Sequence, residues 1–361
     1  MNIVFPYEKI REGQKEFLKD IVDTVNEGKI LIAHAPTGIG KTAAVLGGTL
    51  KFAIENDKVI LFLTPKHTQH LIVIDTLKKI KEKFNIGFYV SEIIGKQYLC
   101  MFDEADEIPS SHFYDWCRAK KERDECEYIE NINKIKTWNE DIKKILDEKE
   151  IIDSGKIKEI SRNNKICAYE VAMKMAKISK VIICDYLYIF SKSIMETFLS
   201  RIEKNLNDLI IVVDEAHNLS QRIRETHSDS MSEKTIERAL KESEKIKNEN
   251  LQKFLFNLKK LLKEFEGNDG NEWRVEKEKF IERVEDIASV FDENFDYDDL
   301  IINLESIGEE ILLQSDRHIS YIKSISNFLY YWKNTGENFA KILRKEIKKD
   351  GEYLVLENKC L

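Results

Sequence analysis

The stretch Ile30–Thr49, ILIAHAPTGIGKTAAVLGGT, decides how the rest of the chain is interpreted. A short apolar run, Ile30–Ala33, leads into the loop Ala35–Thr42, and good helix formers follow it. A strand, a glycine-bearing loop and a helix N-terminus stand here in the order that a triphosphate site needs. The stretch therefore predicts a nucleotide-binding loop on the parallel sheet of an α/β fold.

The side chains of this loop suit phosphates and a metal ion. The glycines let successive backbone N–H groups point at the phosphates, Lys41 supplies positive charge to the β and γ oxygens, and the Thr42 hydroxyl can ligate Mg²⁺. Ala35 stands where the general pattern has glycine. The residues predicted to bind the nucleotide are Pro36, Thr37, Gly38, Ile39, Gly40, Lys41 and Thr42.

A second candidate motif lies near residue 214. The apolar run Leu209–Val213 is predicted to be a buried strand, and Asp214-Glu215-Ala216-His217 follows it directly. Two carboxylates at the end of a buried strand are costly unless they meet a cation. Asp214 is placed to hold Mg²⁺, and Glu215 to orient and deprotonate an attacking water. His217 could sense the γ-phosphate. The alternative is a helix cap at the end of the strand.

Two more segments leave alternatives open. Arg11 and Gln14 lie three residues apart on a predicted helix, so they could contact an adenine edge or simply belong to a surface helix. Lys58–Leu63 is a predicted strand that ends in the polar run Thr64–Gln69. The carboxyl ends of parallel strands bind ligands, but a polar strand-to-helix loop has the same appearance.

Composition narrows the class of protein. The chain has 361 residues, of which 42% are apolar and 34% charged, and its net charge is −8. Nucleic-acid binding would therefore depend on local basic patches. There is no apolar run of 18 residues, and Met1–Phe5 does not begin a secretion leader. We expect a soluble, intracellular (cytoplasmic) monomer that does not associate with a membrane. The six cysteines are scattered along the chain, which argues against a disulfide framework.

The middle and end of the chain depart from the α/β pattern. The polar segment 96–168 carries Cys100, Cys117, Cys126 and, near its far end, Cys167, without a C-x-x-C pair. Spacing alone favours separate buried cysteines, although four thiolates could converge on an iron–sulfur cluster. Apolar stripes at helical spacing predict a small helical domain over 231–334. A final helix and the strand Tyr353–Leu356 are predicted to return to the sheet.

Taken together, the residues resemble the XPD/DinG-like branch of superfamily 2 DNA helicases. FPYEKIREGQ is similar to that family's adenine-recognition segment, which carries Arg11 and Gln14 over as base contacts. APTGIGKT is similar to its Walker A loop and VVDEAHN to its DEAH box. TPKHTQ resembles the motif that touches the single-strand backbone, which implies DNA contacts for Thr64 and Gln69.

The resemblance implies a RecA-like P-loop sheet interrupted by an iron–sulfur insertion and a helical Arch insertion. The expected ranges are 1–95, 169–230 and 335–361 for the RecA-like domain, 96–168 for the iron–sulfur domain and 231–334 for the Arch. The implied cluster is 4Fe–4S on Cys100, Cys117, Cys126 and Cys167, since Cys167-Ala168-Tyr169-Glu170 keeps the frame of the family's Cys-Pro-Tyr-Glu. Tyr114 and Trp116 could then stack bases near the duplex fork.

The resemblance further implies ATP- and Mg²⁺-dependent 5′→3′ travel on single-stranded DNA, with unwinding of fork or bubble DNA in repair or replication. Such helicases need a second RecA-like domain, and none is evident in this sequence. We therefore expect that domain to be supplied in cis or in trans. The rival hypothesis is an ATP- and DNA-binding module or clamp with little turnover. A P-loop kinase or transporter ATPase fits the loop, but it leaves the cysteines and the DEAH box unexplained.

Overall fold

The computed structural model describes residues 3–36, 38–134, 151–293, 295–314, 319–348 and 351–361. The chain divides into two units, of which the first contains Met1–Ile108 and Asp124–Leu219. The second contains Pro109–Arg123 and Ser220–Leu361. Each unit has its own sheet, and the two are described separately.

A four-stranded parallel sheet forms the centre of the first unit, in the order β2-β3-β1-β4. Its strands are β1 (Val59–Leu63), β2 (Val90–Glu92), β3 (Val181–Cys184) and β4 (Leu209–Val213). The apolar runs Lys58–Leu63 and Leu209–Val213 predicted β1 and β4, and a third apolar run, Lys180–Asp185, likewise predicts β3; the structure confirms the three strands. We expected β4 to be buried, but it is only partly buried and Ile211 is exposed. Leu63 is in register with Cys184 on one side and with Val213 on the other, so the carboxyl ends of these strands share one edge.

Helices pack on this parallel sheet. The helix predicted after the P-loop is confirmed as α2, and the one predicted from Ile10 onward begins at Gln14. The structure gives α1 (Gln14–Glu27), α2 (Lys41–Glu55), α3 (His67–Phe84), α4 (Phe113–Glu122), α5 (Glu127–Lys134), α6 (Ser154–Asn163), α7 (Ala168–Ile178), α8 (Leu187–Phe190) and α9 (Lys192–Ile202). Among these, α4 belongs to the second unit.

The strand predicted at Ile30–Ala33 is wrong for this structure. The segment has no strand assignment, and the side chains of Ile30 and Ile32 are 91% and 95% exposed. An isolated extended segment gains no ladder hydrogen bonds, so it needs a neighbouring strand to be stable. Within the described residues β4 is the edge of the sheet and pairs with β1. The apolar run Ile30–Ala33 therefore pairs with no strand of the described sheet.

The second unit combines an antiparallel sheet with a helical layer. Its strands β5 (Asp229–Ser232), β6 (Glu272–Arg274), β7 (Phe339–Lys348) and β8 (Gly351–Cys360) lie in the order β5-β8-β7-β6. Six further helices are α10 (Leu219–His227), α11 (Glu233–Lys245), α12 (Glu249–Glu264), α13 (Lys277–Ala288), α14 (Tyr297–Gln314) and α15 (Tyr321–Asn334). The apolar stripes predicted for this region pack into one core that includes Phe254, Phe280 and Trp332.

Two expectations for this part of the chain are corrected. The final helix expected around 340–361 is instead the strand β7. The strand predicted at Tyr353–Leu356 lies within β8, but β8 pairs with β5 and β7, whereas we expected it to return to the parallel sheet. In the described ranges, no helix has both the length and the apolar character that crossing a bilayer requires.

Candidate nucleotide site

The loop before α2 has the backbone geometry of an anion cradle. Gly38 and Gly40 have φ angles of +83° and +88°, a region that side chains with a Cβ rarely adopt. Gly40 is the N-cap of α2, so Lys41 and Thr42 are its first two residues. Unpaired N–H groups and the positive end of the helix dipole favour a phosphate at this point. Thr37 lies outside the described residues.

Arg11, just before α1, and Gln14, its first residue, bond to this loop. The Arg11 guanidinium donates to the Gly38 carbonyl, and the Gln14 amide donates to the Gly40 carbonyl at 3.2 Å. The Gln14 side-chain oxygen accepts the backbone N–H of Arg11 at 3.0 Å. We predicted base contacts for both residues, and in this structure their polar groups bond to the loop and to each other. Both residues therefore support the cradle directly.

A cavity of about 420 Å³ opens beside the loop, within the size range of small-ligand sites. It lies between the segment before α1, the start of α2 and one face of α3. Its lining residues are Tyr7, Glu8, Lys9, Arg11, Gln14, Gly40, Thr42, Ala43, Ile72 and Thr76. The cavity touches the end of the cradle at Gly40 and Thr42, where a base attached to bound phosphates could extend.

The acidic residues after β4 lie at the same edge. The Lys41 Nζ atom is 3.2 Å from Oε1 of Glu215, although the two residues are 174 positions apart. Oε2 of Glu215 is 3.4 Å from Nδ1 of His217. Backbone pairing continues past the strand, since the Asp214 N–H donates to the Leu63 carbonyl at 2.9 Å. Lys41, Asp214, Glu215 and His217 are thus brought together.

The electrostatics of Asp214 suit a cation. Burial raises the pKa of its carboxyl above the ordinary value, and the charge of Glu215 adds to the effect, while Lys41 opposes it. A buried carboxylate with an acidic neighbour is stabilised when a divalent cation binds. Thr42 and Asp214 supply the hydroxyl and carboxylate oxygens that Mg²⁺ prefers. The donor set therefore fits the metal.

Comparison with known proteins agrees with this geometry. Residues 62–236 match the family model DEAD_2. The chain is 27% identical over 324 residues to the ATP-dependent DNA helicase XPD of Sulfolobus acidocaldarius, covering 89% of this chain and 50% of that protein. It is related to the amino-terminal region of XPD-like helicases. It is also 25% identical over 260 residues to the general transcription and DNA repair factor IIH helicase subunit XPD/RAD3 of Saccharomyces cerevisiae, covering 66% of this chain and 32% of that protein.

Solved XPD structures share the fold of this XPD-like chain. One, described as XPD_Helicase, aligns with a TM-score of 0.57 at 22% identity, over 98% of this chain and 55% of the other. A second, described as Truncated XPD, aligns with a TM-score of 0.54 at 22% identity, over 96% of this chain and 86% of the other. The chain spans half or less of the length of the curated relatives described above.

Three of the four predicted cluster cysteines share a neighbour in the first unit of the XPD-like chain. The charges of Cys100 and Cys126 both act on Tyr128, and the Cys167 N–H donates to the Tyr128 carbonyl at 3.1 Å. Cys117 lies on α4 in the second unit. In the described ranges, no set of three or more histidine, cysteine or acidic side chains is arranged to hold a metal ion. The cluster therefore stays a prediction.

The residues predicted to contact DNA are placed as follows. Thr64 is buried at the end of β1, and its hydroxyl donates to the side-chain oxygen of Gln69. Tyr114 is 65% exposed, which suits stacking. The expectation for Trp116 is corrected, because its ring is 2% exposed and packs against Phe113 with centroids 5.4 Å apart. A ring in the core presents no face to a base.

Sequence reasoning missed several residues around the site. Tyr7, Ile72 and Thr76 line the cavity, and the last two come from a helix that follows the next strand along the chain. Tyr186 donates its hydroxyl to the carbonyls of Asp214 and Glu215. The position of Tyr186, directly after the apolar run Lys180–Asp185 that predicts a strand of the same sheet, was the available signal. Its partners could not be read from spacing.

Proposed function

We propose that this XPD-like chain is the amino-terminal motor half of an ATP-dependent DNA helicase. The observation that carries the proposal is the contact of Lys41 with Glu215 at 3.2 Å, beside Asp214 and Thr42. The contact supports the proposal because it places the loop lysine against the acidic residues after β4, as a site shared by Mg²⁺ and a triphosphate requires. The curated relatives described above are named as helicases, which supports the same class.

The residues of this edge have separable tasks in the proposed reaction. The cradle N–H groups and Lys41 bind and orient the β and γ phosphates, and Mg²⁺ on Thr42 and Asp214 would supply positive charge to them. Glu215 would orient a water in line with the γ-phosphorus and accept its proton. Lys41 must exchange the Glu215 carboxylate for phosphate oxygens, which leaves Glu215 able to act as the base.

The finer features extend the proposal. We propose 5′→3′ movement on single-stranded DNA, with unwinding of forks or bubbles in repair or replication, and a second RecA-like domain supplied in cis or in trans. Thr64, Gln69 and the exposed ring of Tyr114 would contact the strand. A 4Fe–4S cluster would brace the inserted domain, with Cys100, Cys126 and Cys167 as ligands and Cys117 as the fourth.

The direct test is ATP hydrolysis with and without single-stranded DNA, by the chain alone and with the second motor domain of a relative fused or added. We expect DNA to stimulate hydrolysis when both halves are present. Lys41→Ala should reduce turnover at least 100-fold, an order of magnitude typical of losing a transition-state contact. Lys51→Ala is the matched control, because Lys51 lies on the same helix and pairs with Glu55 at 3.8 Å.

Three outcomes would redirect the proposal. Equal turnover in wild type and Lys41→Ala would remove the assignment of this loop as the catalytic site. Tight ATP and DNA binding with no turnover, even when the second domain is present, would favour the module or clamp. Transfer of the γ-phosphate to an acceptor other than water would indicate a kinase.

A further inference from the structure

Tyr186 connects the buried core to the acidic end of β4. It follows β3 by two residues, and its side chain is completely buried in the core that also contains Leu63, Cys184 and Phe198. Its hydroxyl donates to the Asp214 carbonyl and lies 3.0 Å from the Glu215 carbonyl. One side chain from the β3 end thus fixes two successive peptide groups at the β4 end.

Those peptide groups surround a residue with unusual backbone geometry. Glu215 has φ +50° and ψ +46°, a left-handed conformation that residues other than glycine seldom adopt. Such conformations persist where the surroundings over-determine them, and they cluster at functional sites. The Glu215 carbonyl also accepts the Asn218 N–H at 2.9 Å, which starts the short 3₁₀ helix Ala216–Asn218. The hydroxyl of Tyr186 therefore contacts the carbonyl on either side of Glu215.

The turn decides where the Glu215 carboxylate points. With this backbone, Oε1 lies 3.2 Å from Lys41 Nζ and faces the phosphate cradle. We propose that Tyr186 is a positioning residue for ATP hydrolysis, whose buried hydroxyl holds the Asp214–Glu215 turn so that Glu215 keeps its aim at the nucleotide. This inference rests on the proposed function, and it adds a residue that has no contact with the nucleotide itself.

A phenol suits this task for two reasons. Its ring fills the core, and its single donor reaches both carbonyls at once. Burial, together with the charges of Asp214 and Glu215, raises the pKa of the Tyr186 hydroxyl, so it stays a donor at every pH at which the protein would work. Tyr186→Phe removes only the donor and keeps the packing.

The test compares Tyr186→Phe with Tyr297→Phe in the chain to which the second motor domain of a relative is fused or added. Tyr297 is a matched control in the second unit, since it is also buried and donates its hydroxyl to one main-chain carbonyl, that of Leu329, at 3.2 Å. We expect Tyr186→Phe to lower kcat for ATP about 10- to 100-fold. KM for ATP should change less than threefold, and Tyr297→Phe should change neither.

Amide hydrogen exchange in the chain alone tests the same inference without turnover. Tyr186→Phe should speed exchange of the amides of Ala216–Asn218 at least tenfold, and Tyr297→Phe should leave them unchanged. Unaltered kcat together with unaltered exchange would overturn the positioning role. If wild type hydrolyses no ATP while Tyr186→Phe still loosens this turn, the proposed function fails and the restraint by Tyr186 stands.

Discussion

Lys41 and Glu215 carry opposite charges 3.2 Å apart, and both side chains are about one-third exposed. Pairs of this exposure contribute on the order of 0–1 kcal/mol, because water screens them. A triphosphate brings more negative charge to Lys41 than one carboxylate does, so the exchange of partners in the proposed mechanism costs little free energy. The single residues of the site are therefore poised to switch contacts.

Gly40 offers a test at this scale, because a methyl group there meets two obstacles. A Cβ would lie 2.5 Å from Nε2 of Gln14, and φ is +88°. Gly40→Ala should displace Gln14 from the loop and weaken nucleotide binding at least tenfold, as measured by titration calorimetry. The control is Gly28→Ala, where φ is +63° but nothing lies within 4 Å. It should cost about 1 kcal/mol of stability and leave nucleotide affinity unchanged. Similar affinities in wild type and Gly40→Ala would contradict this account of the cradle.

Among the elements, the sequence predicts continuous apolar strands well, both where the strand is fully buried, as in β1 and β3, and where it is partly exposed, as in β4. Val59–Leu63, Val181–Cys184 and Leu209–Val213 are continuous apolar runs, and each is paired in parallel. Ile30–Ala33 has the same composition but no partner in the described sheet, and partners cannot be inferred from composition. The candidate site, like the strands, could be predicted from the sequence only in part. The loop and the acidic residues follow from motifs, whereas the contacts of Gln14 and Tyr186 depend on three-dimensional packing.

The strand β7 shows why the end of the chain was assigned incorrectly. Its inward-facing residues include Lys341, a buried charged side chain that hides the alternating pattern of a strand. Lys341 Nζ donates to the Trp332 carbonyl at 3.1 Å and to the Asn358 side chain at 2.5 Å. Burial is the first cause that lowers the pKa of Lys341, to about 8. The charged form therefore destabilises the folded chain.

This lysine predicts how stability changes with pH. The unfolded chain holds its Lys341 proton up to about pH 10.5, and the folded chain loses it above about pH 8, so the contribution of Lys341 to the free energy of unfolding should rise between these values. The gain is on the order of 2–3 kcal/mol. Denaturant unfolding at several pH values measures it. Lys341→Met should abolish the rise, while Lys345→Met, on the same strand and paired with Glu266 at 2.5 Å, should keep it. Burial also raises the pKa of the Cys184 thiol, which opposes the rise, so the difference between the wild-type and Lys341→Met profiles is what measures Lys341. Parallel profiles for these two proteins would rule out the Lys341 charge as the cause.

At the scale of the whole molecule, a net charge of −8 gives DNA no general attraction. Binding must come from local contacts, and the resemblance assigns part of them to the domain that carries the cysteines. Cys100, Cys126 and Cys167 each neighbour Tyr128, and the cluster proposed for them would brace this domain.

Anaerobic purification tests the cofactor. We expect a brown protein with broad visible absorbance and about four iron and four sulfide per chain, as a 4Fe–4S cluster requires. Cys126→Ser should bleach it and lower affinity for single-stranded DNA. Cys360→Ser should not, because Cys360 lies at the end of β8 outside the predicted ligand set. A colourless protein that contains stoichiometric zinc would contradict the prediction of a 4Fe–4S cluster.

Titration of the chain with a non-hydrolysable ATP analogue in the presence of Mg²⁺ tests whether the loop and the acidic residues bind the same metal–nucleotide. We expect a single site that weakens at least tenfold in Lys41→Ala and in Asp214→Ala, and that is unchanged in Lys51→Ala. Equal affinity in wild type and in both of these site variants would show that the loop and the acidic residues do not share one metal–nucleotide.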